Sequence, residues 1–344
     1  MPAFVPKTDP FKGPIEVILE KRSTANLGPK NQLRGRVVDP EGKPVANAVV
    51  NFEFFYGDEA NCGGACEGVD PLAVADDDGQ FLIATTKRFD WMTVAVEARS
   101  FAKRKFFKLP SGKAHDLKLT EGATVTGRVL REGRPLKNVE LGLVSVDRSE
   151  NFTGEFVIGT DGEGRFQFLN VPAYQIYYLY GHSSSLKGLG TIPIRKVRVS
   201  ADGSVKDAGD LAIEPGLRLV GRVVLSDGGA IPPDAKVFLS RDDAWDTATT
   251  DLRPDGRFEF SDVPAGSVNL GVRIAGYRIS EKNRSLDRLN GSTLVGRIDQ
   301  DIVGLELLLE PGKFMPPDFR KPSGLGPNMQ PRDKPLRGTE SPSF

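Results

Sequence analysis

Apolar and polar residues alternate along three similar stretches of the chain, with the period of a β-strand. Each stretch opens on a short apolar strand containing Gly-Arg-Val, at Gly35, Gly127 and Gly221. A turn rich in glycine and proline follows, and then a second strand with apolar residues at every other position. These alternating positions are Ala48, Val50, Phe52 and Phe54, then Val139, Leu141 and Leu143, then Ala235, Val237 and Leu239. No segment keeps a 3.6-residue apolar period, so the pattern predicts an all-β chain.

An acidic turn leads into an aromatic strand at the same place in each stretch. Phe81, Phe166 and Phe258 occupy equivalent positions, and each stretch closes on a short apolar strand. The stretches recur at an interval of roughly 90 residues, which is too long for a solenoid repeat and close to the size of a small β-sandwich. The sequence therefore predicts three β-sandwiches in tandem, each with its equivalent phenylalanine in the core.

These motifs resemble the carboxypeptidase regulatory-like domain family. Gly35–Val50 reads GRVVDPEGKPVANAVV, Asp161–Phe168 reads DGEGRFQF, and Asp262–Gly266 supplies the Val-Pro-Ala-Gly turn. The resemblance implies transthyretin-like, Ig-like β-sandwiches, grouped with carbohydrate-binding-like folds. It implies little about function, because the shared residues are turn formers and core residues. The first unit lacks the Val-Pro-Ala-Gly turn, and the third lacks the regular first turn.

We predict a tandem array of three antiparallel β-sandwiches joined by linkers too short for free swinging, which would make a semi-rigid rod. The N-terminal stretch contains a possible closing strand, Ile15–Leu19, of a truncated earlier unit, or alternatively an extra strand of the first sandwich. The C-terminal stretch is rich in proline, shows no alternation and is expected to be disordered. The predicted boundaries are 1–31 for the closing strand and linker, 32–121, 122–215 and 216–311 for the sandwiches, and 312–344 for the tail.

Composition argues against several classes of function. Lys+Arg and Asp+Glu each number 46, so there is no basic excess of the kind that nucleic-acid binders carry. No apolar run is long enough to span a membrane. His115 and His182 are the only histidines, and neither lies in a zinc-protease motif. A Gly-x-Ser-x-Gly elbow is also absent. We therefore expect no catalytic residues, no cofactor and no metal.

Two local features leave alternatives open. The acidic turns at Asp76–Gly79 and Asp161–Gly164 suit either tight turns or calcium, and the flanking strands favour turns. Cys62 and Cys66 lie in the insertion NCGGACEG. They form either a local disulfide in an oxidising compartment or two free thiols.

Aromatic residues provide the candidate binding sites. Alternation places Tyr177 on one face of its strand and the neighbouring tyrosines on the other, so some of these rings should face solvent. Exposed rings can stack on sugars, but they can also pair across strands for stability alone, and the structural interpretation is preferred. Trp245 lies in a loop-like stretch and is a further candidate, whereas Trp91 opens an alternating strand and is expected in the core. The basic and aromatic stretch Arg99–Lys108 suits an anionic ligand, but lysines guarding an edge strand are the preferred interpretation. The ligand-binding candidates are Tyr174, Tyr177, Tyr178, Tyr180 and Trp245.

The sequence thus predicts a non-catalytic binding or spacer protein located in the periplasm or on the surface of a bacterium. One hypothesis is glycan binding through surface aromatics. The other is a structural stalk or a module that contacts a cell-surface protein, and a weaker alternative is an accessory region of a larger enzyme such as a peptidase.

Overall fold

The computed structural model describes residues 27–313, apart from 58–60, 242, 284–285, 287 and 291–292, and it gives only the backbone of 288–290. Over these residues the protein is all-β, as predicted, with six sheets that form three β-sandwiches. The predicted strand Ile15–Leu19 and the predicted tail from residue 314 onward lie outside the described residues.

The first sandwich begins after a short 3-10 turn at Pro29–Asn31. Its strands are β1 Gln32–Val38, β2 Val49–Tyr56, β3 Asn61–Gly63, β4 Leu72–Val74, β5 Gln80–Ala84, β6 Trp91–Glu97, β7 Arg104–Pro110 and β8 Ala114–Lys118. One sheet has the order β5-β1-β8, and the other has the order β3-β2-β6-β7 with β4 also paired to β2.

The second sandwich repeats this plan. Its strands are β9 Ala123–Arg131, β10 Arg134–Pro135, β11 Glu140–Ser145, β12 Glu155–Gly159, β13 Arg165–Val171, β14 Gln175–Gly181, β15 Arg195–Val199 and β16 Val205–Ala212. A single helical turn, α1 Ser183–Leu186, lies between β14 and β15. The first sheet has β9 between β13 and β16, with β10 also on β9, and the second has the order β12-β11-β14-β15.

The third sandwich contains an additional edge strand in each of its two sheets. Its strands are β17 Leu217–Leu225, β18 Lys236–Arg241, β19 Thr247–Asp251, β20 Arg257–Val263, β21 Gly266–Arg273, β22 Tyr277–Ile279, β23 Arg288–Asn290, β24 Thr293–Ile298 and β25 Ile302–Pro311. The sheets have the orders β20-β17-β25-β22 and β19-β18-β21-β24-β23.

Each sandwich departs from the predicted antiparallel arrangement in one strand pair. The Gly-Arg-Val strand runs parallel to the closing strand, in β1 with β8, β9 with β16 and β17 with β25. The other pairs of the described strands are antiparallel. The closing strand returns only after the chain has built the second sheet, and this long crossover lets it enter in the parallel sense.

The repeated glycine of Gly-Arg-Val makes room for the repeated phenylalanine. Gly127 lies opposite Phe166 in the ladder, and Gly221 lies opposite Phe258. A Cβ atom at either glycine would stand 2.5 Å from the tip of that ring. In the first sandwich a Cβ atom at Gly35 would overlap the carbonyl of His115 on the parallel strand instead. Glycine is therefore required where the strand is crowded from two sides.

The predicted core positions are buried, apart from Phe54 and Trp91. Phe81, Phe166 and Phe258 are each at most 5% exposed. Phe54 is half-buried, whereas its neighbour Phe55 is completely buried. A register shift between Phe52 and Phe54 inserts one residue and reverses the facing of the strand beyond it.

The described chain divides into two compact units. The first contains the first two sandwiches up to Glu214, and the second contains the third sandwich from Pro215 together with Leu186–Thr191. The predicted boundary at 215/216 lies between β16 and β17, and the predicted boundary at 121/122 lies between β8 and β9.

Candidate functional site

The tyrosine-rich strand β14 presents its rings to different environments. Tyr177 faces the core, where it is 1% exposed and its hydroxyl donates to the carbonyl of Pro172 at 2.7 Å. Burial raises the pKa of Tyr177 well above its usual range. Tyr178 faces the other way, is half-buried, and lies opposite Lys196 of β15. The Lys196 ammonium stands 5.5 Å from the centre of the Tyr178 ring, which is a cation–π contact.

Tyr180 shares the outward face with Tyr178 but is completely buried there. Its hydroxyl donates to the carboxylate of Glu155 on β12, and His182 Nε2 lies 3.0 Å from the same carboxylate oxygen. Gly142 on the intervening strand leaves space for both, because a Cβ atom there would overlap the Tyr180 ring and the Glu155 carboxylate. This polar cluster holds β12 to the end of β14. Tyr177 and Tyr180 are therefore inaccessible to a surface ligand, contrary to their prediction as binding residues.

The two remaining aromatic candidates are well exposed. Tyr174 precedes β14 in a turn with a positive φ of 62° and is 75% exposed. Trp245 is 55% exposed in the loop between β18 and β19. The ends of that loop are joined by a buried ion pair between Arg241 and Asp246, at 3.1 Å. Trp245 belongs to the third sandwich and the tyrosines to the second, in separate compact units.

Cys62 and Cys66 are joined by a disulfide that closes a small loop, with their Cα atoms 6.2 Å apart. The sulfurs pack against the core of the first sandwich, and the loop begins with β3, which pairs with β2. A structural disulfide of this kind is typical of oxidising compartments.

An aromatic stack on the first sandwich was missed by the sequence reasoning. Trp91 is half-buried on the outer face of its sheet, contrary to the core position predicted for it. Its ring is parallel to that of Tyr56, with centroids 5.4 Å apart, and the Lys108 ammonium lies 5.8 Å from its centre. These contacts are cross-strand pairs that stabilise a sheet. The signal available in the sequence was the aromatic run that ends at Tyr56.

The basic stretch Arg99–Lys108 forms much of β7, which pairs only with β6 among the described strands. Lys103 makes an ion pair with Glu97 at 2.6 Å, and Lys105 makes one with Glu53 at 3.2 Å. Internal carboxylates therefore occupy two of its cations. This agrees with the interpretation of these lysines as protection of an edge strand.

An exposed ion pair recurs beside the repeated glycine. Arg36 lies 3.3 Å from Asp116, and Arg128 lies 3.0 Å from Asp210, in each case across the parallel strand pair. The hydrogen bond and charge of Arg128 lower the pKa of Asp210, and the same contact raises the pKa of Arg128. A surface cleft of about 670 Å³ surrounds this second pair. In the first two sandwiches the arginine of the motif thus has a structural partner on the closing strand.

The acidic turns use their carboxylates to cap backbone groups. Asp76 Oδ1 accepts hydrogen bonds from the amides of Asp78 and Gln80, and Asp161 Oδ1 does the same for Glu163 and Arg165. This is the turn chemistry that the sequence favoured. Within the described residues there is no group of three or more potential metal-binding side chains. Nor does any helix in the described part reach the length and hydrophobicity needed to cross a membrane.

Comparison with known proteins gave matches only among solved structures. No protein-family model and no curated protein matches the chain. The Bacillus anthracis TIE protein is similar at 13% identity and a TM-score of 0.23 over 82% of this chain and 50% of that one, so this chain spans half its length. The Streptococcal ancillary pilin is similar at 12% identity and a TM-score of 0.27 over 82% of this chain and 99% of that one. BcpA, the major pilin subunit of Bacillus cereus, is similar at 12% identity and a TM-score of 0.22 over the same shares. Values this low carry no functional argument, and the assignment to the carboxypeptidase regulatory-like family stays a prediction.

Proposed function

We propose that the chain is a non-catalytic structural and protein-interaction module of an extracytoplasmic bacterial protein. The observation that carries this proposal is the fixed junction between the first and second sandwiches, which lie in the same compact unit. A junction of this kind suits a stiff spacer that holds binding surfaces at a set distance.

The linker backbone is hydrogen-bonded to both sandwiches. On one side, the amide of Ala102 donates to the carbonyl of Thr120 at 2.8 Å. On the other side, the side-chain amide of Asn170 donates to the carbonyl of Glu121 at 2.8 Å. The amide of Gly203 donates to the carbonyl of Gly122 at 2.6 Å. Three consecutive linker carbonyls are thus satisfied, and rotation about the linker would break these bonds.

Gly122 is the residue on which this junction depends. It has a positive φ of 70°, and a Cβ atom there would stand 2.8 Å from backbone atoms of Asn170 and Val171 and 2.9 Å from the Cβ of Ala102. Backbone of the second sandwich and a side chain of the first therefore meet at one glycine. The disulfide between Cys62 and Cys66 supports the extracytoplasmic location.

The stiffness can be measured by electron–electron resonance between nitroxide labels at Glu41→Cys and Gln167→Cys. Both positions are exposed, and the native cysteines are bonded to each other. We expect a single narrow distance distribution that broadens in Gly122→Ala. Gly133→Ala is the matched control, because Gly133 also has a positive φ, 76°, but nothing lies within 4 Å of its Cβ position. A broad distribution in the unaltered chain would refute the spacer proposal.

Glycan binding is a second candidate, favoured by the exposure of Tyr174 and Trp245, since exposed rings can stack on sugars. A glycan array probed with the full chain tests it. We expect any bound glycan to be lost in Tyr174→Ala or Trp245→Ala and retained in Val303→Ala, where an equally exposed apolar residue is removed. Retention in all three variants would exclude these rings.

A further inference from the structure

The outer edge of β15 in the second sandwich is open, whereas the equivalent edge of the third sandwich is covered. In the third sandwich β24 is followed outward by β23, which pairs with it antiparallel from Arg288↔Val295 to Asn290↔Thr293. In the second sandwich β15 occupies the position of β24 and ends its sheet among the described strands. We propose that this edge accepts an extended acidic segment of a protein partner, which adds to the sheet as a further strand. The inference rests on the proposed interaction function and names the chemistry of the partner.

The geometry of β15 suits strand addition. Its pairing with β14 is continuous from Gln175↔Val199 to Leu179↔Arg195, without a register shift. The other open edge of this kind is β7. Its pairing with β6 shifts register between Met92 and Val94 of β6, and Lys108 of β7, at this irregularity, has a positive φ of 50°. Bulges of this type protect an edge by bending it away from a partner. The regular strand β15 lacks that protection.

The charges of β15 favour an acidic partner. Lys196 and Arg198 are both exposed. Neither has a carboxylate within ion-pair distance among the residues that the structure describes. The contact of Lys196 is with the Tyr178 ring, so its charge is not neutralised. In the first sandwich, by contrast, Lys105 of β7 and Lys103 just before it are paired with glutamates of the same sandwich. An added strand with acidic side chains on the outward face would place them beside Lys196 and Arg198.

The side chains of an added strand would alternate between the charged outward face of β15 and the side of Val197 and Val199. Val197 and Val199 point into the core, so the outward face of the edge consists of Lys196 and Arg198 with the half-buried ring of Tyr178 behind them. Alternating acidic and apolar residues are therefore the simplest pattern that fits. Backbone hydrogen bonds would supply affinity, and the two cations would make the edge selective for a negatively charged partner.

The full chain is titrated by calorimetry at low salt with a seven-residue peptide of alternating glutamate and valine, capped at both ends. We expect saturable binding that falls with added salt. We also expect slowed hydrogen exchange confined to β15 within the second sandwich. The same peptide with lysine in place of glutamate should not bind. Equal binding of both peptides would overturn the charge argument. If neither peptide binds, the proposal is wrong and the two cations serve only to protect the edge.

Two further comparisons separate strand addition from simple charge attraction. The double variant Lys196→Glu with Arg198→Glu should bind about tenfold more weakly, because two attractions become repulsions. The matched control is Lys137→Glu with Lys206→Glu, which reverses two exposed charges elsewhere in the sandwich and should bind as the unaltered chain does. A glutamate–valine peptide methylated at every backbone nitrogen keeps its charge but cannot donate backbone hydrogen bonds from either edge, and it should lose binding. If it binds undiminished, the strand-addition proposal is wrong. None of these outcomes depends on the distance measurement across Gly122, so the two proposals fail independently.

Discussion

The contact between Gly221 and Phe258 gives the sharpest test of how the repeated motif works. Phe258 is 2% exposed, and its ring packs edge-on against Phe260 with centroids 6.2 Å apart. Truncating a buried phenylalanine to alanine costs about 3–5 kcal/mol through lost burial and the cavity left behind. Phe258→Ala should therefore destabilise the third sandwich by that amount.

Gly221→Ala acts on the same contact from the other side. The new methyl group would stand 2.5 Å from the tip of the Phe258 ring and 2.6 Å from the carbonyl oxygen of Leu305. Overpacking of this kind costs about 1–3 kcal/mol, and the carbonyl cannot rotate away as a side chain could. In the double variant the ring clash disappears but the carbonyl clash remains. We therefore expect the double variant to be more stable than the sum of the single losses predicts, by about 1 kcal/mol.

Urea unfolding followed by Trp245 fluorescence reports on this sandwich, in a Trp91→Phe background that leaves Trp245 as the single tryptophan of the two in the chain. Val303→Ala removes a residue that is 73% exposed and should change the free energy of unfolding by less than about 0.5 kcal/mol. A loss below about 1 kcal/mol for Phe258→Ala would contradict the assigned core position. Strict additivity in the double variant would show that the glycine is not there to accommodate the ring.

Three further outcomes follow from the contacts of the first and second sandwiches. Gly142→Ala should lower the free energy of unfolding by about 1–3 kcal/mol, measured by thermal unfolding, because its methyl group overlaps the Tyr180 ring. Gly159→Ala is the control and should be nearly neutral, since nothing lies within 4 Å of its Cβ position. Equal effects of the two substitutions would contradict this packing. Arg128→Ala should raise the pKa of Asp210 toward its ordinary value in an NMR titration. The folded-state pKa of the Asp210 carboxyl is lowered, so the carboxylate stabilises the fold fully above its unfolded-state pKa. This stabilisation is lost as the pH falls through the folded-state pKa. The Arg128→Ala variant should therefore lose less stability on acidification than the unaltered chain. Reducing the disulfide of Cys62 should speed hydrogen exchange in β3 and leave the third sandwich unchanged, and unaltered exchange in β3 would show that the disulfide does not hold that strand.

The sequence predicted the local elements well because strands and turns leave short-range signals. Alternation identified Val50, Val139 and Val237 as core residues, and each is at most 1% exposed. The acidic turn before each aromatic strand was recognised because aspartate and glycine cap and shape tight turns through their own backbone. Signals of this kind span only a few residues, so they can be recognised without knowledge of the tertiary structure.

The candidate binding residues were predicted less well because their environment is set by distant residues. Tyr180 has the outward phase expected from alternation, yet it is buried by Glu155, which lies 25 residues earlier in the chain. Trp91 opens a strand whose next five residues are buried, but it lies on the outer face against Tyr56. Alternation assigns a face to a residue, but it does not show what covers that face. The parallel pairing of the closing strands was missed for a related reason, since no local pattern records the direction of a partner.

The three sandwiches differ most at their sheet edges, and this difference is the best guide to function within the array. The repeated residues are used by the fold: in the second sandwich the glycine accommodates the phenylalanine, the arginine pairs with an acidic residue of the closing strand, and the aspartate caps a turn. Positions occupied in this way cannot distinguish one unit from another. The edge strands do distinguish the units. The strand β7 is bulged and has Lys105 paired with Glu53, β24 is covered by β23, and β15 is regular, with Lys196 and Arg198 exposed. Lys105 of β7 has a carboxylate partner in its own sandwich, whereas Lys196 and Arg198 of β15 have no carboxylate within ion-pair distance among the described residues. The second sandwich is therefore the unit of the array in which binding should be sought first.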